Sequence, residues 1–223
     1  LSLSKHTAFA FNLVMKIISL FLLSSFLLFS CTSATQTPVQ IVTVYATSAT
    51  EPWLRELFTC AEDLSVVLKV GAEAPEIYLR LGEPEMNITP AYQIDEEEIL
   101  IVVHQENAIQ KLTLAEAQEL FAHEDPSMQV WVYASDADLQ IMFDQLAMRG
   151  RSVTSSARVA GSPQKMFDVL NSESTVIGIL PRHWMTGNTL RAAASIGKVP
   201  VLALTKSEPQ AIVVELISCL QGN

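Results

Sequence analysis

Residues 98–121 read Glu98-Ile-Leu-Ile-Val-Val-His104, Gln105-Glu-Asn-Ala-Ile-Gln-Lys-Leu112 and Thr113-Leu-Ala-Glu-Ala-Gln-Glu-Leu-Phe121. The first run is almost continuously apolar, the pattern of a strand covered on both faces. Thr113 with Glu116 three positions on has capping-box spacing and predicts a helix over Leu114 to Phe121. A doubly buried strand that feeds a capped helix is the repeating unit of an α/β chain.

The same alternation extends in both directions. Val39 to Tyr45 is β-branched and alternating, so it reads as a strand. Thr50-Glu-Pro52 then opens a helix whose apolar face is Trp53, Leu54, Leu57 and Phe58, with Thr50 as N-cap and Pro in the first turn. Further strands are expected at Leu64 to Val70, Glu76 to Leu81, Val130 to Tyr133, Val176 to Leu180 and Pro200 to Thr205. Helices are expected at Leu139 to Met148, from Ser162-Pro163 to Leu170, and at Gln210 to Leu220. Residues 184–198 hold only weak patterns and read as loop or a short strand. Glu96-Glu-Glu98 reads as a solvated turn. Strands alternating with helices predict an α/β fold with largely parallel sheets flanked by helices.

Composition narrows the functional classes. The 223 residues carry 24 acidic and 14 basic side chains, a formal net charge of −10. Neutralising phosphates requires clustered Lys and Arg, so a nucleic-acid partner is not expected. A 49% hydrophobic content with 17% charged residues excludes general disorder. About 190 residues beyond the amino-terminal segment suffice for one sizeable domain or two small lobes.

That segment has a character of its own. No Asp or Glu precedes residue 51, and Met15-Lys16 is followed by an apolar run from Ile17 to Phe29. A positive start, an apolar stretch and a small residue before the cut describe a secretory signal over residues 1–30. Residues 1–14 read as lying ahead of a natural start at Met15. Leu28-Phe29-Ser30-Cys31 resembles the lipobox of bacterial lipoproteins, which implies lipidation of Cys31 and an extracytoplasmic domain tethered to the cell membrane. A retained transmembrane helix from Ala8 to Phe29 is the alternative, but Asn12 and Lys16 sit inside it, and a mid-helix charge costs roughly 2.5–3.5 kcal/mol. Residues 31–38, small, polar and uncharged after the Cys, suit a flexible tether. With Cys31 lipidated, Cys60 and Cys219 remain, either bridged in an oxidising compartment or buried as two thiols.

Three strand-to-helix junctions are rich in small polar residues: Thr47-Ser-Ala-Thr50, Ser135-Asp-Ala-Asp138 and Gly161-Ser-Pro-Gln164. In open α/β sheets, ligands bind beyond the carboxyl ends of strands, at helix starts. The three loops read either as converging on a small ligand or as plain helix caps. No Gly-x-Ser-x-Gly elbow, His-Glu-x-x-His or glycine-rich phosphate loop occurs, and no Cys/His grouping has zinc spacing. Hence no catalysis, cofactor or metal is expected. His104, His123 and His183 read as capping or packing residues.

Two segments carry a family resemblance. Ala91-Tyr-Gln-Ile-Asp-Glu-Glu-Glu-Ile-Leu-Ile-Val-Val-His104 through Leu112-Thr113 to Phe121 resembles phosphate-binding-protein-like solute receptors. In those proteins a strand ending in Val-Val precedes an Asn-Pro-like turn, Leu-Thr and a helix ending in Phe. Ser162-Pro-Gln-Lys-Met-Phe167 through Val176-Ile-Gly-Ile-Leu-Pro181 resembles the later helix and the Ala-Ile-Gly-Tyr strand of the same family. The resemblance covers roughly residues 39–221. It implies a two-lobed type 2 periplasmic-binding-protein fold, with lobe one at 39–103 and 199–223 and lobe two at 104–198. It also implies a small-molecule solute held in the cleft and passed to an ABC-type permease. The residues so implied as ligand-binding are Tyr45, Thr47, Ser48, Thr50, Arg80, Tyr133, Ser135, Asp136, Ser162 and Gln164. Cys60 and Cys219 both fall in lobe one, which favours a bridge between them.

The sequence departs from the family at two loops. Phosphate binders carry an Arg-x-x-Gly-Ser-Gly-Thr-like loop where this chain has Val132-Tyr-Ala-Ser-Asp-Ala-Asp138, without Arg or Gly. Asp136 and Asp138 then stand where an anion's oxygens would approach, and they repel phosphate. The lobe-one loop is reduced to Arg80-Leu-Gly-Glu83, where Arg80 either supplies a cation or pairs with a neighbouring acid. A degenerate fold, serving as a structural or signalling partner in the envelope without a ligand, is the alternative function.

Overall fold

β4, Ala91–His104, and β8, Leu190–Leu204, are neighbours along almost their whole length, from Ala91 opposite Leu204 to His104 opposite Leu190. They form the middle of an eight-stranded sheet. On one side of them lie β3 (Ile77–Leu81), β1 (Ile41–Ala46) and β2 (Val67–Val70); on the other lie β7 (Val176–Pro181), β5 (Gln129–Val132) and the short β6 (Arg158–Val159). The computed structural model describes residues 39–84 and 89–222, and residues 39–223 form one compact unit. The expected signal peptide, the Cys31 lipidation site and the tether lie outside the described residues. No helix among the described residues is long and apolar enough to cross a membrane.

The sheet is mixed, which corrects the expectation of largely parallel sheets. Each outer group is parallel within itself, β2-β1-β3 and β7-β5-β6. The central pairs β3–β8, β8–β4 and β4–β7 are antiparallel. The cause is connectivity. β4 carries the chain from the first half of the sheet to the second, and β8 brings it back beside β4 in the opposite sense.

Residues 190–198, expected as loop or a short strand, belong to β8. Leu190-Arg-Ala-Ala-Ala-Ser-Ile-Gly-Lys198 lacks β-branched alternation, and its extended form comes from pairing with β4. Glu96–Glu98, expected as a turn, lies inside β4 for the same reason. The register shifts between Gln93 and Asp95 and again between Ile99 and Leu100, and such irregularities sharpen the local twist. The apolar run Ile99–Val103 is fully buried, as its sequence predicts.

The helices are α1 (Glu51–Asp63), α2 (Leu114–Ala122), α3 (Asp138–Phe143, continued by a π-helical turn at Asp144–Met148), α4 (Pro163–Ser172) and α5 (Ala211–Leu220). The capping box of α2 is formed: Thr113 Oγ1 accepts from Glu116 N–H, and Glu116 Oε2 accepts from Thr113 N–H at 2.7 Å. α1 buries Trp53, Leu57, Cys60 and Ala61, whereas Phe58 stays exposed. It packs on α5, and Cys60 and Cys219 join the two helices in a disulfide with Cα atoms 6.0 Å apart.

Candidate functional site

The three polar loops differ in what their side chains do. At the start of α4, Ser162 Oγ accepts from Lys165 N–H, an ordinary N-cap, and the exposed Gln164 donates to Asp168 of its own helix. At the start of α1, Thr50 makes no side-chain cap. It is fully buried, and its hydroxyl donates to Leu79 C=O of β3 at 3.0 Å, while Thr47 N–H donates to the same carbonyl. The loop after β1 is thereby fastened to the middle of β3. At the start of α3 there is again no side-chain cap of the usual kind.

The side chain freed there is Asp138, only 6% exposed. Its Oδ2 accepts from Thr47 Oγ1–H and from Leu81 N–H, both at 2.8 Å, while Oδ1 accepts from the neighbouring Leu139 N–H. Thr47 and Leu81 belong to the first half of the sheet and Asp138 follows β5 of the second. One carboxylate oxygen therefore fastens the two halves where the β1 and β3 strand ends face the start of α3. A buried charge is tolerated only when donors surround it.

A second contact lies beside it. Gly82 has φ +67°, and a Cβ placed on it would overlap Met142 Sδ of α3. Leu81 and Gly82 at the end of β3 are thus closed over by Asp138 and Met142 of α3. The rings of Tyr45 and Tyr78 pack against each other in a tilted arrangement, centroids 5.3 Å apart. Burial pushes the Tyr78 hydroxyl above its ordinary pKa, opposed by Arg80 and assisted by Asp138 and Tyr45. Arg80 is half-buried and its Nε donates to Leu81 C=O; it pairs with no carboxylate among the described residues.

Another contact lies at the middle of β4. Glu97 is 1% exposed; its Oε1 accepts from Glu98 N–H and Arg182 N–H, and its Oε2 lies 2.7 Å from His183 Nδ1. The His183 ring packs on Trp53 of α1 at 4.6 Å, and the Trp53 indole N–H donates to Asp95. His183 therefore packs, as read, but against a buried acid rather than as a cap. Desolvation, the largest influence, raises the Glu97 pKa against the opposing pull of His183. A carboxyl with a raised folded pKa holds its proton more tightly when folded than unfolded. Its contribution to stability is full below the ordinary carboxylate range and lost as pH rises through the folded value. Urea midpoints taken from pH 4 to 8 are accordingly expected to fall less with rising pH in Glu97→Gln than in the wild type; parallel profiles would contradict this.

The predicted site residues separate into two groups. Thr47 bonds Asp138 directly and Thr50 bonds Thr47; Tyr45 and Arg80 both lie near Tyr78, and Ser48 is exposed on the loop of Thr47. Tyr133 is buried, and its hydroxyl donates to Ile179 C=O at 2.7 Å, tying the end of β5 to β7. Ser162 and Gln164 make their side-chain hydrogen bonds within their own helix. Ser135 and Asp136 are exposed; Ser135 lines a cavity of about 650 Å³ with Gln140, Asp144 and Arg151, which does not reach Thr47 or Asp138. The larger cavity, about 850 Å³, lies against α2 and also avoids them. Sequence reasoning missed Leu81 N–H, Met142 and the Glu97–His183 pair. No group of His, Cys, Asp and Glu among the described residues is arranged to hold a metal ion.

No protein-family model and no curated protein sequence matches the chain. Solved structures do. A putative phosphate ABC transporter substrate-binding protein with bound phosphate from Clostridium perfringens superposes with TM-score 0.69 at 13% identity, covering 80% of this chain and 92% of that one. An ABC-type phosphate transport receptor from Vibrio cholerae gives 0.60 at 13% identity, covering 82% and 93%. The chain has the type 2 periplasmic-binding-protein fold. The CcmR regulatory domain of Synechocystis in complex with 2-PG, at 0.64, 11% identity and coverage of 82% and 96%, has the same architecture. The fold is thus shared by solute receptors and regulatory domains, and these neighbours are binding proteins rather than enzymes.

Proposed function

We propose that the protein is a lipid-anchored, extracytoplasmic solute-binding protein, the receptor component of an ABC-type importer, which takes a small polar ligand between two lobes. The lobes are residues 39–103 with 199–223, and residues 104–198, hinged where β4 and β8 pass between them. The observation that carries this reading is the meeting of Thr47 Oγ1–H and Leu81 N–H from one half with a group of the other half, Asp138. Hydrogen-bonding groups that face each other across a hinge are what closure on a ligand requires. The lipobox-like Leu28-Phe29-Ser30-Cys31 and the charge-free tether support the anchor.

A second reading has a specific observation in its favour. Asp138 saturates the facing donors and Met142 covers Gly82, so a protein that never opens would serve the envelope as a structural or signalling partner. Thermal unfolding against a panel of anions, amino acids and sugars separates the two. A ligand at a hundred times its Kd adds about 2.7 kcal/mol to stability, and Thr47→Ala is expected to reduce that gain. A panel without any response favours the partner reading. For the anchor, Cys31→Ser is expected to move the full chain from the membrane fraction to the soluble one; unchanged fractionation speaks against lipidation.

A further inference from the structure

The Thr47–Asp138–Leu81 cluster has the chemistry of an oxyanion site that is already filled. Two neutral donors, a hydroxyl and a backbone N–H, converge at 2.8 Å on one carboxylate oxygen. The donors come from positions 91 and 57 residues away in sequence, so helix capping or a local turn does not account for them. The carboxylate itself is 6% exposed and performs no N-capping beyond its contact with Leu139 N–H.

We propose that Thr47 Oγ1–H and Leu81 N–H form a binding site for a small oxyanion, and that Asp138 is its internal occupant, which an external carboxylate or phosphate-type anion must displace. This rests on the reading that the two halves separate. A tethered ligand competes at an effective concentration on the order of millimolar or higher, so free anions at lower concentration leave the closed form in place. Asp138 then sets the affinity threshold of the cleft. It also favours solutes that bring contacts besides the oxyanion, because a bare anion only exchanges one occupant for another.

The test compares wild type and Asp138→Ala by thermal shift and calorimetry with sodium acetate and inorganic phosphate, using chloride at matched ionic strength as control. Asp138→Ala is expected to bind acetate, phosphate or both saturably, at least tenfold tighter than wild type, and Thr47→Val in the same background is expected to abolish the gain. Equal responses in wild type and Asp138→Ala, or a gain that survives Thr47→Val, overturn the proposal. Should the alanine variant fail to fold, Asp138→Asn keeps the side-chain volume and an acceptor oxygen. Its anion affinity is expected between the two, and affinity identical to wild type overturns the proposal equally. The two readings fail separately. If wild type binds a solute of the panel and Asp138→Ala binds anions no better, the receptor function stands and the internal occupant falls. If Asp138→Ala binds anions while wild type answers nothing, the internal occupant stands and the receptor function falls.

Discussion

A Cys60→Ser/Cys219→Ser chain is expected to be less stable than wild type by about 5 kcal/mol. The disulfide joins positions 159 residues apart, so it closes nearly the whole described chain into one loop. A cross-link of that span removes a large part of the unfolded chain's freedom, and the gain grows with the logarithm of loop length. A loss of this size is a large share of a domain's usual margin of 5–15 kcal/mol. The disulfide also joins α1 to α5, so that the first residues after β1 and the last helix act as one body. Urea unfolding with and without a reducing agent gives the measurement. The wild-type midpoint is expected to fall on reduction to that of the double variant. Coinciding midpoints for oxidised wild type and double variant would show that the bridge does not form.

Gly82→Val is expected to cost about 2–5 kcal/mol. A side chain held at positive φ costs roughly 1–2 kcal/mol, and overpacking a filled site adds roughly 1–3. At Gly82 both apply at once, because φ is +67° and Met142 Sδ already fills the space a Cβ would take. The pressure falls on α3 and therefore on the Asp138 contacts one turn earlier in the same helix. Met142→Ala in the Gly82→Val background removes the overlap but leaves the backbone strain, so it is expected to recover only part of the loss. Denaturant midpoints for the single and double variants check both statements. A double variant no more stable than Gly82→Val would mean that the two residues do not touch.

Much of the architecture was legible in the chain because it is written in local chemistry. The Ile99–Val103 run is apolar on both faces and is buried on both. Thr113 and Glu116 have the spacing of a capping box and form one. The collinear order of the motifs in 91–121 and 162–181 pointed to the fold that the solved structures share. Residues 190–198 were not legible, because nothing in Ala192-Ala-Ala-Ser195 distinguishes a strand from a loop until β4 supplies its hydrogen bonds. Glu97 was illegible in the same way: three consecutive glutamates suggest solvent, and only the partner strand, Arg182 N–H and His183 make burial of the middle one tolerable.

Sequence by itself determined the α/β class, the acidic character, and the loops from which polar groups would come, since each depends on residue type and on neighbours within a few positions. It also named Asp138 as a misfit for phosphate. The tertiary structure alone decided what that misfit does. Whether a carboxylate repels a ligand or replaces one depends on which N–H and O–H groups lie within 3 Å of it, and Thr47 and Leu81 reach Asp138 only after the chain has crossed the sheet along β4.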